Sequence, residues 1–371
     1  MTVRVSAPSR LCLFGEHLDY HHLEVVTMAI DLRFHAEISA RNDGLGVIEI
    51  KDETIDTLNQ ENTWKRYERF EFDLASELIY TGSRDYFKSC FNVIKRRGYD
   101  ISSGFDIKMD SEIPIGKGMC SSSAMVVTLI KAVLECIDAD IKDSGSEIAQ
   151  MGYEAEVSEF NEPGGKMDHM ASAYGGIRRF GFSDIKNPTM EALGNLPTGE
   201  FILFDSLQRK DTIKVLETAR KPVEEAVRLL GLKSIAEIGI KALGESNIPI
   251  GYKNPAMAAL YNYDILKQFL SMHLSGTITP EQFGEMLYRH HCRLRDGLGI
   301  STDSIEEILD TAMHNGALGG KLNGTGGGGC CYVFCHEKDA GRIIGSVGAK
   351  GYPGRIVKTA GEVAAEKGGC A

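Results

Sequence analysis

Three hydroxyl side chains, Ser121, Ser122 and Ser123, follow two glycines, Gly116 and Gly118, in the stretch PIGKGMCSSSA over residues 114–124. An apolar run to about residue 137 comes next and reads as a buried helix. A helix N-terminus presents unpaired N–H groups and partial positive charge, which suits a phosphate. Gly116 and Gly118 let the backbone approach that phosphate without a Cβ in the way. A serine hydroxyl there can also ligate Mg²⁺, although no Lys-Ser or Lys-Thr pair follows the glycines and the loop is not a Walker A. Taken alone, the segment reads equally well as an N-cap after a glycine turn.

Three further stretches carry groups of the same kind. Residues 316–329, GALGGKLNGTGGGG, include Gly326 and Gly327 and run directly into an apolar strand. So much glycine is entropically costly to order, which favours backbone closing over a ligand rather than a linker. No strand–glycine–helix order surrounds it, which disfavours a dinucleotide-binding oxidoreductase. Residues 156–168, EVSEFNEPGGKMD, place Glu156 in a helix and Asp168 just past a Pro-Gly-Gly turn. Phosphoryl transfer needs one acid near Mg²⁺ and another near the attacking hydroxyl, but acids at helix ends are also commonly solvated. Residues 10–20, RLCLFGEHLDY, set Glu16, His17 and Asp19 on a turn after an apolar run; carboxylates there can hold sugar hydroxyls, and a solvated β-turn is the plain alternative.

The elements that must position these groups are of mixed type. Strands are expected over residues 3–7, 33–41, 47–50, 105–109, 201–205, 330–335 and 355–359. Helices are expected over 85–97, 121–137, 144–160 and 338–348, with a mainly helical stretch over 212–311 broken near 231, 248–251 and 276–279. The chain has 371 residues, a length that suits about two domains, and the loop-like stretch near 181–197 marks the division, giving domains 1–185 and 186–371. Lys and Arg total 41 against 52 Asp and Glu, a net −11 that argues against nucleic acid or an anionic membrane as partner. No apolar run approaches the roughly 18 residues of a membrane span, and no apolar leader opens the chain, so a cytoplasmic location is expected. The nine cysteines, Cys370 among them, have no disulfide or zinc spacing and read as small buried hydrophobes. The pairs His21–His22 and His290–His291 read as structural or solvated, since adjacent residues share no face.

In this order, the four segments resemble the GHMP kinase superfamily, and within it galactokinase. APSRLCLFGEHLDY over residues 7–20 is similar to the galactokinase signature. PIGKGMCSSSA is similar to the family's ATP-binding loop and KLNGTGGGGC over 321–330 to its C-terminal glycine motif; AEVSEFNEPGGKMD resembles the stretch carrying the magnesium-side glutamate and catalytic aspartate. The resemblance implies an α+β, two-domain fold, with a ribosomal-S5-like N-terminal domain and a ferredoxin-like C-terminal domain. It implies that Asp168 is a base or positioning charge for the attacking hydroxyl, and that Arg10 stabilises the transferring phosphoryl group. Ser122 and Glu156 would hold Mg²⁺. Glu16, His17, Asp19 and Gly165 would line the sugar site. Gly116, Gly118, Ser121, Ser122, Ser123, Gly326 and Gly327 would bind ATP. Mevalonate kinases tend to have Lys at the position of Arg10, so the arginine favours a sugar.

The expected function is therefore ATP-dependent phosphorylation of a monosaccharide hydroxyl, the anomeric one by analogy, in carbohydrate metabolism, by a monomer or homodimer. Another sugar, a uronate or a heptose phosphate, or a non-catalytic sugar and ATP sensor, are the alternatives. Ser9, Leu18, His21, His22, Lys166 and the stretch DSLQRKDT over 205–212 depart from the galactokinase pattern. All are expected on the acceptor side, with Lys166 directed to solvent.

Overall fold

The computed structural model describes residues 2–56, 61–101, 103–141 and 143–367, with only the backbone of 51–56 and 61–67; Cys370 lies outside the described residues. Strand β1 (Thr2–Phe14) pairs antiparallel with β2 (Val25–Arg41). The hairpin β3 (Leu45–Asp56) and β4 (Glu61–Asp73) forms one flank. After helix α1 (Tyr86–Arg96), β5 (Gly104–Ser111) inserts between β2 and β3, antiparallel to the first and parallel to the second. Helices α2 (Ser121–Cys136), α3 (Ser144–Tyr153) and α4 (Met167–Tyr174) pack with α1 over this sheet. β6 (Ile177–Gly181) and β7 (Thr189–Ala192) extend it along the start of β2.

The second half opens with β8 (Glu200–Asp205), then helices α5 (Thr212–Leu229), α6 (Ile240–Glu245), α7 (Ile250–Leu274), α8 (Pro280–Leu298) and α9 (Asp303–His314). β9 (Ala317–Leu322), β10 (Cys330–Cys335), α10 (Glu337–Gly348) and β11 (Gly354–Val357) follow. The four strands form an antiparallel sheet in the order β11-β8-β10-β9, the ferredoxin-like arrangement. The last strand, β12 (Ala364–Lys367), returns to the first sheet and pairs with β1, completing eight strands.

The central strands β8 and β10 are buried on both faces, so their interiors are apolar and alternate only in which core they serve. Phe201 and Leu203 of β8, with Tyr332 and Phe334 of β10, face a core shared with the first sheet and α8. Ile202 and Phe204, with Cys331, Val333 and Cys335, face a second core under α9 and α10. Phe283 of α8 joins the halves: its ring meets Phe14 of β1, Phe269 of α7, Phe201 and Phe334 at centroid distances of 5.0–6.1 Å. The cysteines fit this pattern: Cys12, Cys90, Cys120, Cys330, Cys331 and Cys335 are buried, while Cys136 and Cys292 are half-buried.

β4, β6, β7, β12 and α4 lie outside the expected elements, β2 begins earlier than expected, and three further differences have a visible cause. β1 runs on past residue 7, because a bulge at Pro8/Ser9 lets pairing with β2 resume through the fully buried 9–14, where the alternating pattern vanishes. The helix expected over 144–160 changes at Glu154–Ser158 to a π-helical stretch. The Ser89 hydroxyl donates to the Ala155 carbonyl at 2.6 Å, an outside donor inside the helical ladder. Residues 317–322, read as part of a glycine loop, form β9: Gly284 of α8 packs against Leu318 and Gly319 so closely that a Cβ on Gly319 would lie 1.7 Å from the Gly284 carbonyl.

Phe283→Ala should cost about 3–5 kcal/mol, as for a fully buried aromatic ring. Urea unfolding of the variant would show it as a lower midpoint, and a loss under about 1 kcal/mol would contradict the joint assigned to this ring.

Candidate active site

A cleft of about 250 Å³ opens between the two sheets. The end of β1 and the turn after it supply Arg10, Glu16, His17, Asp19 and Tyr20; the glycine-serine loop supplies Gly116, Gly118 and Ser121–Ser123. The π-helical stretch brings Glu156, the start of α4 brings Asp168 and His169, and the loop after β9 brings Gly324 and Thr325. Every element reaches the cleft by an end or an irregularity, where backbone groups are free to face a ligand.

Arg10 is almost fully buried at the junction. Its Nε and one terminal nitrogen both reach Asp168 Oδ1, at 2.9 and 2.7 Å, and its other terminal nitrogen donates to the Gly118 carbonyl at 3.1 Å. Burial disfavours the guanidinium charge, but Asp168, Cys120, Cys12 and Glu16 together outweigh it and raise the pKa above its ordinary value. Among the described residues both contacts of Arg10 to Asp168 fall on Oδ1, and Oδ2 makes no hydrogen bond.

On one side of this pair lie two more carboxylates. Glu16 Oε1 pairs with the buried Lys321 of β9, while Oε2 is buried with no partner. Asp19 Oδ2 accepts from the Met167 N–H at 3.2 Å. Burial pushes Asp19 up to about 6, helped by the neighbouring charge of Asp168 and opposed by the Met167 N–H. Gly165 is held to glycine by this carboxylate, since a Cβ there would stand 1.9 Å from Asp19 Oδ2. His17 has both ring nitrogens engaged, Nε2 with the Thr325 carbonyl at 3.2 Å and Nδ1 with the Tyr20 hydroxyl at 2.5 Å. Burial holds its pKa near 3, so the ring is neutral; the carbonyl can only accept, so Nε2 carries the proton and Nδ1 accepts from Tyr20.

On the other side, Gly116, Gly118 and Cys120 alternate through the left-handed region, at φ 69°, 77° and 49°. Such an alternation turns successive N–H groups inward as an anion nest at the start of α2. Cys120 is the strained member, as the one residue of the three with a side chain. Glu156 accepts from Ser123 Oγ at 2.7 Å and from His169 Nε2 at 2.7 Å. Burial would raise its pKa, but His169, Ser122 and Ser123 hold it below the ordinary carboxylate range. An ionised carboxylate beside the Ser122 hydroxyl is a hard-oxygen donor set. Mg²⁺ is bound that way in phosphate sites, by one or two carboxylates and the phosphates themselves, so Ser122 and Glu156 fit it.

Of the residues singled out from sequence, Gly326 and Gly327 stand back from the cleft. A Cβ on Gly326 would lie 2.6 Å from the Ile300 carbonyl, and one on Gly327 2.6 Å from Val215 Cγ2, so they seat the loop on its own half of the molecule. Gly324 and Thr325 form the cleft wall in their place. Two further expectations are corrected. Lys166 is buried, not solvated: its Nζ reaches Gln150 Oε1 at 2.6 Å and the Ile185 carbonyl, and it lies over the Tyr153 ring. The departures from the galactokinase pattern do not gather at the acceptor. Ser9 donates to the Met119 carbonyl behind the phosphate loop, Leu18 packs in the core, and neither lines the cleft. His290 and His291 are buried and structural, bonded to the Gly15 N–H and to Glu306, whereas His21 is buried and His22 exposed.

Sequence reasoning missed Arg84, Tyr86 and Glu162, which line the rim with Glu162 Oε1 shared by Arg84 at 3.1 Å and Tyr86 at 2.5 Å. Of the stretch over 205–212, Thr212 lines the cleft, together with Leu216, which sequence reasoning missed. These lie one turn apart on α5, the i, i+4 spacing that puts both on one face.

Comparison with known proteins agrees with this architecture. Residues 2–40 match the galactokinase galactose-binding signature, 85–176 the GHMP kinases N-terminal domain and 271–353 the GHMP kinases C-terminal domain. The chain is 27% identical to the mevalonate kinase of Thermococcus onnurineus, over 92% of this chain and 91% of that one. It is 24% identical to the galactokinase of Pyrococcus furiosus, over 92% and 91%. Its fold superposes on Lactococcus lactis galactokinase, solved in complex with galactose, with a TM-score of 0.81 at 20% identity, covering 98% and 95% of the two chains. With both catalytic-half domains and the N-terminal signature matched in order, the chain belongs to the GHMP kinases.

Proposed function

We propose that the protein transfers the γ-phosphoryl group of ATP to a hydroxyl of a neutral monosaccharide, the anomeric hydroxyl by analogy with galactokinase. The carrying observation is the charge of the acceptor end. Glu16 and Asp19 face it as carboxylates, Glu16 Oε2 has no protein partner, and the nearby cations Arg10 and Lys321 are already paired. Carboxylates that can only accept suit a ligand rich in hydroxyl donors. A carboxylate-bearing acceptor such as mevalonate would meet like charge there.

In this reading the phosphates lie in the nest formed by Gly116, Gly118 and the first turn of α2. Mg²⁺ would be held by Ser122 and Glu156 and would neutralise charge on the phosphate oxygens. Asp168 Oδ2 orients the acceptor hydroxyl and takes its proton, with the carboxylate fixed through Oδ1 by Arg10. Arg10 stands beside the same reacting centre and counters the charge on the transferring group. Positioning and charge placement then supply the acceleration. A second reading, phosphorylation of a hydroxy acid, is favoured by the resemblance to the Thermococcus mevalonate kinase.

An ADP-release panel separates the two. Turnover is expected with a neutral hexose or pentose, and turnover with mevalonate but with no sugar would end the sugar reading. Asp168→Asn should lower kcat by about a hundredfold or more while ATP still binds; unchanged turnover would exclude the assigned role. Asp19 adds a pH test. Below about 6 it takes a proton, loses its charge and turns one oxygen into a donor, so it accepts hydroxyl hydrogen bonds less well. The acceptor KM should therefore rise as pH falls from 7 to 5, with kcat changing less. Asp19→Asn should remove that dependence, and an acid limb surviving in this variant would assign it elsewhere.

A further inference from the structure

Lys210 stands in the connection between β8 and α5, outside every segment that carries the family resemblance. Its Nζ donates to Thr325 Oγ1 at 2.6 Å. A Cβ placed on Gly118 would lie 2.4 Å from that Nζ, so the ammonium rests directly on the phosphate loop. Its charge is felt at His17, and the charges of Arg10 and Asp168 are felt at Lys210. Lys210 thus sits where the glycine-serine loop, the loop after β9 and the Arg10–Asp168 pair meet.

The neighbouring lysines are neutralised: Lys117 pairs with Asp205 at 2.9 Å, and Lys321 with Glu16. Among the described residues the hydrogen-bond partner of Lys210 is the Thr325 hydroxyl, which carries no charge. A partly buried ammonium without a counter-charge is costly, and burial accordingly pulls Lys210 down to about 8. Stapling one loop to another needs only a neutral donor. A cation held there, beside a second cation already engaged by Asp168, gains most when an anion enters the space between the two loops.

We propose that Lys210 binds the terminal phosphate of the nucleotide, exchanging the Thr325 hydroxyl for a phosphate oxygen. The inference rests on the ATP reading above and adds a ligand to it. A point charge on a flexible stem suits that task, since it can follow the phosphate as transfer proceeds.

The test is calorimetric titration of the full-length protein with Mg²⁺ and either adenylyl imidodiphosphate or ADP. Lys210→Met should weaken the triphosphate analogue about tenfold or more, the factor lost with one charge-assisted hydrogen bond, and ADP by a clearly smaller factor. Lys210→Arg should recover most of the difference. Thr325→Val, which removes the staple and keeps the cation, should preserve the wild-type ratio of the two affinities. Equal weakening of both nucleotides in Lys210→Met, or the same loss of ratio in Thr325→Val, would overturn the proposal and leave a loop staple. Wild-type protein that binds neither nucleotide would overturn the ATP reading, and this inference with it.

Discussion

The side chain of Asn323, fully buried at the end of β9, holds three backbone segments at once. Its Oδ1 accepts from the Cys12 N–H at 3.0 Å, and its Nδ2 donates to the Arg10 carbonyl at 3.3 Å and the Gly118 carbonyl at 3.1 Å. One amide thereby fixes the end of β1, which carries Arg10, against the phosphate loop, and both against the C-terminal sheet. Beside it, Lys321 donates to the Cys12 and Leu322 carbonyls and pairs with Glu16, and the Tyr332 hydroxyl donates to the Cys12 carbonyl at 2.8 Å. These bonds are made away from water, so each is costly to leave unmade. The cleft walls come from both halves of the molecule, and this polar seam sets their distance.

The seam also explains how so many charges can gather in a small space. Removing one partner of a buried ion pair is expensive, so a buried charge is tolerated where its partner is held firmly. Arg10 is held by Asp168 and the Gly118 carbonyl, Lys321 by Glu16 and two carbonyls, and Glu156 by two serines and His169. What is left over differs at the two ends. The acceptor end retains carboxylate oxygens, on Glu16 and Asp19; the phosphate end retains N–H groups and the ammonium of Lys210. On the proposed reading that polarity runs along the line of transfer, from hydroxyl donors to phosphate acceptors.

Much of the site was legible in sequence because its groups sit in short contiguous runs. Gly116 to Ser123, Glu156 to Asp168 and Arg10 to Asp19 each place chemistry within a turn or two of an element end. The strands that alternate, β5 above all, were legible for the same local reason. What escaped depended on contacts far along the chain. β9 reads as a loop because its glycines answer to the approach of α8, not to the period of a strand. Gly326 and Gly327 look like ligand-binding glycines, yet they are small because Ile300 and Val215 press on them. Lys166 was expected in solvent, since nothing nearby in sequence announces Gln150 or the Ile185 carbonyl as partners. Arg84 reaches the cleft, and Lys210 the two loops that wall it, from connections that carry no pattern of their own.

Overall likeness does little to choose the acceptor, because mevalonate and sugar kinases share this scaffold at comparable identity. The choice rests on a few side chains at one end of the cleft, and the charge there bears on it more directly. Gly165 and Asp19 form the most restrictive pair: with no room for a Cβ at 165, the carboxylate occupies that space itself, and it is kept there by a backbone N–H rather than by a cation. A cationic partner would have satisfied Asp19 and closed it to a ligand. Backbone N–H groups, that of Met167 foremost, only partly offset burial and the charge of Asp168, which is why this carboxyl lies near 6 and why a further hydroxyl donor would stabilise its charged form. Glu16 likewise keeps a second oxygen buried and unbonded, beside an ion pair that fixes the first. On the proposed reading, these two carboxylates, on one wall and next to Asp168, suit an acceptor with several adjacent hydroxyls and no negative charge of its own.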